Sequence, residues 1–520
     1  MDTDILIAGG SLGGVLAAKA ALSHGMKVIL TEETDWIGGQ LTSQAVPPDE
    51  HPWIEEQGRT QSYAQFRKAV REHYKNLPDA SDKMKNKPLR ELNPGNGWVS
   101  RVAHEPKVAL AILQGYLAPY RKNGQLELLY FTVPVSARTE GDEIRSVTVR
   151  NVKTGETRTV TAKYYLDATD CGDLLPLVGA EYRTGAESRA ETGEPDAPEK
   201  ADPYDMQPVT YVAALGLMPR EKFSDEYKIK KPETYEYFKS VRIPFTDKSV
   251  LSWFSATQSD ETHAREWAMF DDQLAPGSLG FWTYRRIVDK DNYTDIDEDV
   301  SLINWPQNDY CLGNIFEEPG REKHRALAKE LTRSLIYWLQ NEAPNEIGTV
   351  GFPVRPRGDV LDTEDGIAKA PYIRESRRIV AKRQIVEQDL AASVSDKPLR
   401  LEDSVGVGHY HIDLHSTIKT HTSLFVPAHP FEIPLSAMVP VRLKNLIPAC
   451  KNIGTTHLTN GCFREHPTEW NIGETAGHLA AYCIGKGIRP AQVLGDVKPF
   501  QKLLEENGVQ LHWDTSSMKK

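Results

Sequence analysis

Residues 4–40 constrain this chain more than any other stretch. Asp4-Ile5-Leu6-Ile7-Ala8 is a short apolar run that runs into Gly9-Gly10-Ser11-Leu12-Gly13-Gly14. Val15–Leu22 follows as a helix of small and apolar residues, and Met26–Thr31 reads as a second strand ending at Glu32. A strand, glycine turn, helix, strand and acid in this order form a unit that binds an adenine dinucleotide. Gly9 lets the chain turn sharply off the strand. The turn then points free N–H groups at the start of the helix toward a pyrophosphate, where the helix dipole also favours negative charge; Gly10, Leu12 and Gly13 belong to this cofactor-binding stretch. Gly14 lets the helix approach the sheet. Glu32 accepts hydrogen bonds from a ribose diol and disfavours a 2′-phosphate by like charge. Ser11 holds the place usually given to the middle glycine; its Cβ narrows the approach, and its hydroxyl offers a compensating bond.

The next segment lengthens the cofactor. Glu33 follows the ribose acid, and Trp36-Ile37-Gly38-Gly39-Gln40 supplies a second backbone turn. A nicotinamide enzyme does not need that turn; the longer FAD lays its pyrophosphate and ribityl chain across one. Tyr164-Tyr165-Leu166 returns to the main sheet and ends at Asp167-Ala168-Thr169-Asp170, which places Asp170 against the dinucleotide. Asp173 is expected to cap a helix at Leu174–Val178. A helix beginning near Gly473 presents an open first turn, whose dipole suits the N1–C2=O edge of a reduced flavin.

Composition bounds the rest. The chain has 520 residues, 39% hydrophobic, with formal charge −11. That supports a large core and two domains, and gives no basis for nucleic-acid binding. No apolar run is long enough to cross a bilayer. Cys171, Cys311, Cys450, Cys462 and Cys483 form no close-spaced metal motif, and their odd number fits a reducing compartment. The N-terminus enters its first strand with no signal-like run, so a cytoplasmic location is expected. A homo-oligomer is compatible with all of this.

The fold expected is α/β: a Rossmann-like FAD-binding domain interrupted by an α+β substrate domain. Residues 1–184 form its first part, with an insertion at 44–101; 185–360 form the substrate domain; 361–520 complete the FAD domain and add a tail. Helices are expected at about 61–76, 105–121 and 322–340, and a meander at Leu126–Ser136, Glu143–Asn151 and Thr157–Leu166. The insertion is peripheral unless Trp53, Trp98, His51 and Arg59 cover the flavin. The 185–360 stretch is rich in aromatic and amide side chains. Arg285, Asn304, Asn308 and Tyr310 are its candidate substrate contacts. His409, His411 and His415 read as polar cavity lining. Without a compact His or Cys motif, no metal is assigned.

Several separated segments together resemble the family of FAD-dependent oxidoreductases with an interrupted Rossmann-like domain. They are Ile7–Gly14, Glu32 with Trp36–Gly39, Asp167–Asp173, Pro371–Arg378, Asn445–Gly454 and Gly473–Gly477. Asp170 stands where family members often carry glycine. The resemblance implies non-covalent FAD and redox chemistry at flavin N5. The reaction expected is oxidation of a polar small organic substrate, with hydride passing to the flavin while a base removes an O–H or N–H proton. His466 is the first candidate base and His457 the second. Arg464 would hold a substrate carboxylate or stabilise negative charge. The electron acceptor is not readable. The alternatives are a flavin monooxygenase using reduced FAD and oxygen, and a flavin-bearing subunit or binding protein with little activity alone.

Overall fold

The structure is a computed structural model that describes residues 2–257, 263–271, 280–316 and 320–518. The core starts with β1 (Ile5–Ala8), α1 (Leu12–Ser23) and β2 (Val28–Thr31). Then come α2 (Gln61–Lys75), α3 (Pro106–Lys122) and β3 (Leu126–Leu129). An antiparallel meander follows, β4 (Thr132–Glu140), β5 (Glu143–Asn151) and β6 (Thr157–Val160), and β7 (Tyr164–Asp167) returns to the main sheet. The intervening region holds β8 (Ala213–Leu217), β9 (Arg286–Val288), β10 (Asp299–Ile303), α4 (Arg321–Asn341) and β11 (Val354–Pro356). The hairpin β12 (Ile412–Leu414) and β13 (Leu424–Val426), then β14 (Leu446–Pro448), α5 (His457–Phe463) and α6 (His466–Lys486) lead to the C-terminal region.

The main sheet is parallel, in the order β14-β7-β1-β2-β3. Ile7 pairs with Leu30 on one side and Leu166 on the other. Ile5, Leu6 and Ile7 are all fully buried, as expected for a parallel strand covered on both faces. Each such side chain contributes about 1.5–3 kcal/mol by burial. The first and last parts of the chain thus build one sheet, with β14 beside β7, and the substrate region lies between them in sequence. That region has its own antiparallel sheet, β9-β10-β8-β11, and its own apolar cluster around Trp305, Phe281, Leu335 and Leu339. This is the expected α/β core flanked by a separate substrate-binding region.

Three local expectations change. The strand expected over Leu126–Ser136 breaks at Phe131, which adopts a left-handed φ of 54°; β3 joins the parallel sheet and β4 the meander. Asp173 occupies the cap position of the short helix Leu174–Leu177 but makes no side-chain cap bond. Its carboxylate pairs with Arg377 at 2.9 Å, and Asp167 Oδ2 accepts from Leu174 N instead.

The third change concerns Gly473. The helix expected to begin there begins at His466, with Pro467 in its first turn, a position where proline loses no hydrogen bond. Gly473 is therefore interior, and its neighbour is α1. A Cβ on Gly473 would stand 2.2 Å from Gly13 O, and one on Gly477 would stand 2.2 Å from Ala17 O. Spaced four apart, the two glycines share one face and let α6 lie directly on α1. The dipole argument for a flavin edge at Gly473 no longer holds, because no helix terminus is there. Among the described residues, no helix is long and apolar enough to cross a membrane.

Candidate active site and cofactor cradle

The glycine turn has the geometry its sequence requires. Gly9 sits at φ +95°, and a Cβ there would meet Ala168 O at 2.3 Å. Only glycine permits both. Ser11 is the N-cap of α1: its hydroxyl accepts from Gly14 N at 3.2 Å. The middle-glycine position is thus occupied by a capping residue, and its oxygen serves the helix. Gly38 N donates to Gly10 O at 2.7 Å, which holds the second turn against the first.

Glu32 ends β2 and is buried. Its Oε1 accepts from both Thr34 N (2.8 Å) and Thr34 Oγ1 (2.7 Å). Its Oε2 turns over Gly10, where a Cβ would lie 2.7 Å from it. Burial pushes the carboxyl up to about 8, against the lowering effect of the Thr34 bonds, and Asp170 adds to the rise. A buried acid whose Oε2 lies over the Gly10 backbone fits the ribose of an adenine dinucleotide. Glu33 points elsewhere, pairing with Arg325 of α4 at 3.0 Å. Asp170 pairs with the buried Lys451 at 2.7 Å. Gln40 donates to Arg464 O at 3.1 Å and to Glu469 Oε2 at 2.5 Å, so it links the cradle to the neighbouring cavity.

That cavity measures about 330 Å³. Its wall includes Asp49, Arg285, Asn304, Tyr372, Arg374 and Arg464, with Asp413 and His415 from the β12 strand and its exit. A second, more apolar lobe shares Trp267, Pro306, Asp413 and His415 and includes Tyr310. The charges arrive in opposed pairs. Arg285 meets Asp49 at 3.4 Å, Arg374 meets Asp309 at 3.0 Å, and Arg464 meets Asp413 at 2.9 Å. Arg464 also donates to Tyr372 Oη at 2.8 Å. Buried arginine persists here because each fork has a carboxylate to accept from it.

His415 is held between two acids. Its Nδ1 lies 2.5 Å from Asp309 Oδ2 and its Nε2 lies 3.5 Å from Asp413 Oδ2. Burial and Arg374 lower its proton affinity, but the two carboxylates outweigh them, so the imidazole is raised above its ordinary value. Asp309 is correspondingly held down at about 2 by Arg374 and His415, against the effect of burial. Asp309 Oδ1 also accepts from Thr210 Oγ1 at 2.5 Å.

The histidines singled out as bases have other surroundings. His466 is fully buried. Its Nδ1 accepts from Asp49 N at 3.2 Å, and its Nε2 donates to Val46 O at 3.1 Å. Both nitrogens are committed to backbone, and burial drives its basicity well down. A ring so placed fixes the 46–49 segment and has no free nitrogen for a substrate proton. His457 lies in an ionic cluster with its Nδ1 2.9 Å from Glu375, and Arg378 contacts both Glu375 and Glu187. Among the substrate candidates, Arg285 and Asn304 line the cavity and Tyr310 lines the second lobe. Asn308 does not: its amide donates to Tyr211 O and Ile303 O at 3.0 Å, tying strands together.

The insertion reaches the site through Asp49, a residue that no motif or spacing singles out. His51 and Trp53 instead form an aromatic cluster with His409 and Trp513, and Arg59 donates to Ile54 O and Glu55 O. Asp49, Glu465 and His466 bring ligand-type atoms within 4.8 Å of one another, but both His466 nitrogens are already spent. Burial raises Glu465 to about 8 despite Arg464 beside it.

A family model described as FAD dependent oxidoreductase matches residues 4–504. No curated protein matches the chain. Among solved structures, CabE, an aromatic hydroxylase from angucycline biosynthesis, is similar at 10% identity and TM-score 0.32, over 74% of this chain and 55% of that one. The glycerol-3-phosphate dehydrogenase from Bacillus halodurans, complexed with FAD, is similar at 12% identity and TM-score 0.24, over 44% and 41%. A geranylgeranyl bacteriochlorophyll reductase-like protein from Thermoplasma acidophilum is similar at 10% identity and TM-score 0.31, over 98% and 85%. The chain thus spans little more than half of the hydroxylase and less of the dehydrogenase. With a family match over nearly its whole length, this protein belongs to the FAD-dependent oxidoreductases and is an FAD-binding enzyme.

Proposed function

We propose that the enzyme oxidises a hydroxyl- or amine-bearing polar small molecule in the Arg285–Arg374–Arg464 cavity, with His415 taking the O–H or N–H proton. The observation that carries this reading is the Asp309–His415–Asp413 arrangement on the cavity wall. Asp309 accepts from Nδ1–H and so fixes the tautomer, leaving Nε2 as the basic atom on the Asp413 side. The backbone of Gly9–Gly13, Glu32 and the Gly38–Gln40 turn would hold FAD. When bound, FAD supplies the two-electron acceptor for the C–H bond being oxidised.

The remaining residues orient and enclose. Arg285, Arg374 and Arg464 present guanidinium N–H groups while Asp49 and Asp413 present acceptors, so the wall matches a substrate with several polar groups. Asn304 Nδ2 and Arg285 Nη1 are buried without hydrogen-bond partners, which leaves two donors for substrate atoms. Trp267, Phe281 and Tyr284 close the apolar side and keep water from the reacting bond.

Anaerobic mixing of the FAD-loaded enzyme with a panel of sugars, polyols, hydroxy acids and amino acids tests this. Bleaching of the flavin band by a panel member without NAD(P)H supports it. Bleaching only by NAD(P)H, followed by incorporation of labelled oxygen into a product, would replace it with a monooxygenase.

A further inference from the structure

We propose that Glu469 is a built-in substitute for the cofactor's pyrophosphate, and that FAD must displace it in order to bind. Glu469 projects from α6 onto the first turn of α1. Its Oε1 accepts from Gly13 N at 3.0 Å, a donor in the first turn of α1, where the dinucleotide reading places the pyrophosphate. Its Oε2 accepts from Gln40 Nε2 at 2.5 Å, in the second turn of the cradle. Lys451 stands 4.0 Å away, tied to Asp170 at 2.7 Å. Glu469 and Gln40 are fully buried and Lys451 is 2% exposed.

These side chains come from α6, the second turn, the β14 exit and the β7 exit, and they meet over the glycine turn. A helix N-terminus attracts one anion at its free N–H groups. Here Gly14 N is already capped by Ser11 and Gly13 N by Glu469. A diphosphate needs the same donor and carries the same sign of charge, so it and the Glu469 carboxylate exclude each other. The network also has an unfilled place: Gln40 Oε1 is buried without a hydrogen-bond partner. It is a buried acceptor that the Glu469 contacts do not satisfy. When Glu469 leaves the turn, Lys451 is the adjacent cation able to receive it. Glu469 thus holds donors at the turn where the pyrophosphate would sit, and part of the binding energy of FAD goes into breaking those contacts.

FAD titration of the cofactor-stripped protein, followed by flavin fluorescence quenching and by calorimetry, tests this without reference to activity. Glu469→Gln keeps an acceptor for Gly13 N–H and removes the charge; it should bind FAD tighter by roughly tenfold or more. Equal or weaker binding by a folded Glu469→Gln protein overturns the proposal. A second measurement needs no variant. On the unmodified chain ADP should bind no more than about threefold tighter than AMP, because the added phosphate meets Glu469. A gain of roughly tenfold for ADP would show that the pyrophosphate position is open, and would overturn the proposal as well.

Discussion

Gly473 lies directly on Gly13, so that a Cβ on one would stand 2.2 Å from the carbonyl oxygen of the other. This contact fastens the last long helix to the helix that carries the cofactor turn. Backbone cannot yield as a flexible side chain can. Gly473→Ala should therefore cost about 1–3 kcal/mol as α6 is pushed off α1. Gly485 is the control on the same helix: it is exposed and nothing lies within 4 Å of its missing Cβ. Gly485→Ala should be neutral, or stabilising by up to about 1 kcal/mol, since alanine is the better helix former. Urea unfolding of both variants decides the matter. Equal stability in the two would mean that α6 does not need the close approach.

Ser11 gives a second graded test. As N-cap it satisfies Gly14 N–H, so Ser11→Gly should lose only a few tenths of a kcal/mol and Ser11→Ala about 1 kcal/mol. A bulky residue meets a harder limit, because a Cβ placed on Gly39 would already be 3.3 Å from Ser11 Cβ. Ser11→Phe should lower FAD occupancy in the purified protein, read from the ratio of flavin to protein absorbance. Full occupancy in that variant would contradict the packing described.

The two glycine turns were legible in the sequence because close backbone approach demands glycine, and Gly9, Gly10, Gly38 and Gly39 could be read one residue at a time. Glu32 was legible by its place at the end of a strand. The cavity was less so. Arg285, Asn304 and Arg464 were found as polar residues within aromatic or amide-rich segments, but His415 owes its character to Asp309, which lies on another segment more than a hundred positions away. No spacing rule connects the two. His466 misled because an imidazole near a long helix looks like a base until its two backbone partners are seen. Glu469 was hidden for a related reason: only the crossing of α6 over α1 brings it to Gly13.

The buried cluster at His457 predicts a stability effect. Glu375 Oε2 accepts from Gln207 N at 3.0 Å, both its oxygens lie 2.9 Å from His457 Nδ1, and Arg378 is its neighbour. Glu375→Gln leaves Arg378 with Glu187 alone and takes the charge from His457, at a cost of about 3–5 kcal/mol. Glu375 is depressed below its ordinary 4.5 by His457 and Arg378, against the opposing effect of burial. Its contribution is therefore present above pH 4.5 and is lost as pH falls through the lower folded value. His457 is raised above 6.5 by Glu375, against burial. Its contribution is present below 6.5 and is lost as pH rises through the higher folded value. Unfolding free energies of the parent chain should thus decline on both sides, and the decline on the acid side should be shallower in the Glu375→Gln protein. An unchanged acid limb would remove Glu375 from the account.

His415 gives the sharpest prediction, because activity and stability must run in opposite directions. Asp309 and Asp413 raise its imidazole above 6.5, and a base works only after losing its proton. Turnover should rise with pH through a midpoint above 6.5. The ion pairs of the charged ring contribute stability below 6.5 and lose it over the same rise. Asp309→Asn removes one of the two acids and should shift the turnover midpoint toward lower pH. His415→Asn should abolish the rise and lower kcat/KM by about 10²–10⁴-fold. His466→Asn is the comparison, since His466 holds the 46–49 segment through backbone bonds; its variant should keep the midpoint even where it lowers the rate. The kcat/KM profiles of the three variants against pH distinguish the roles. A midpoint that survives in His415→Asn and vanishes in His466→Asn would return the proton to His466, with the 46–49 loop having to release one of its nitrogens before each turnover.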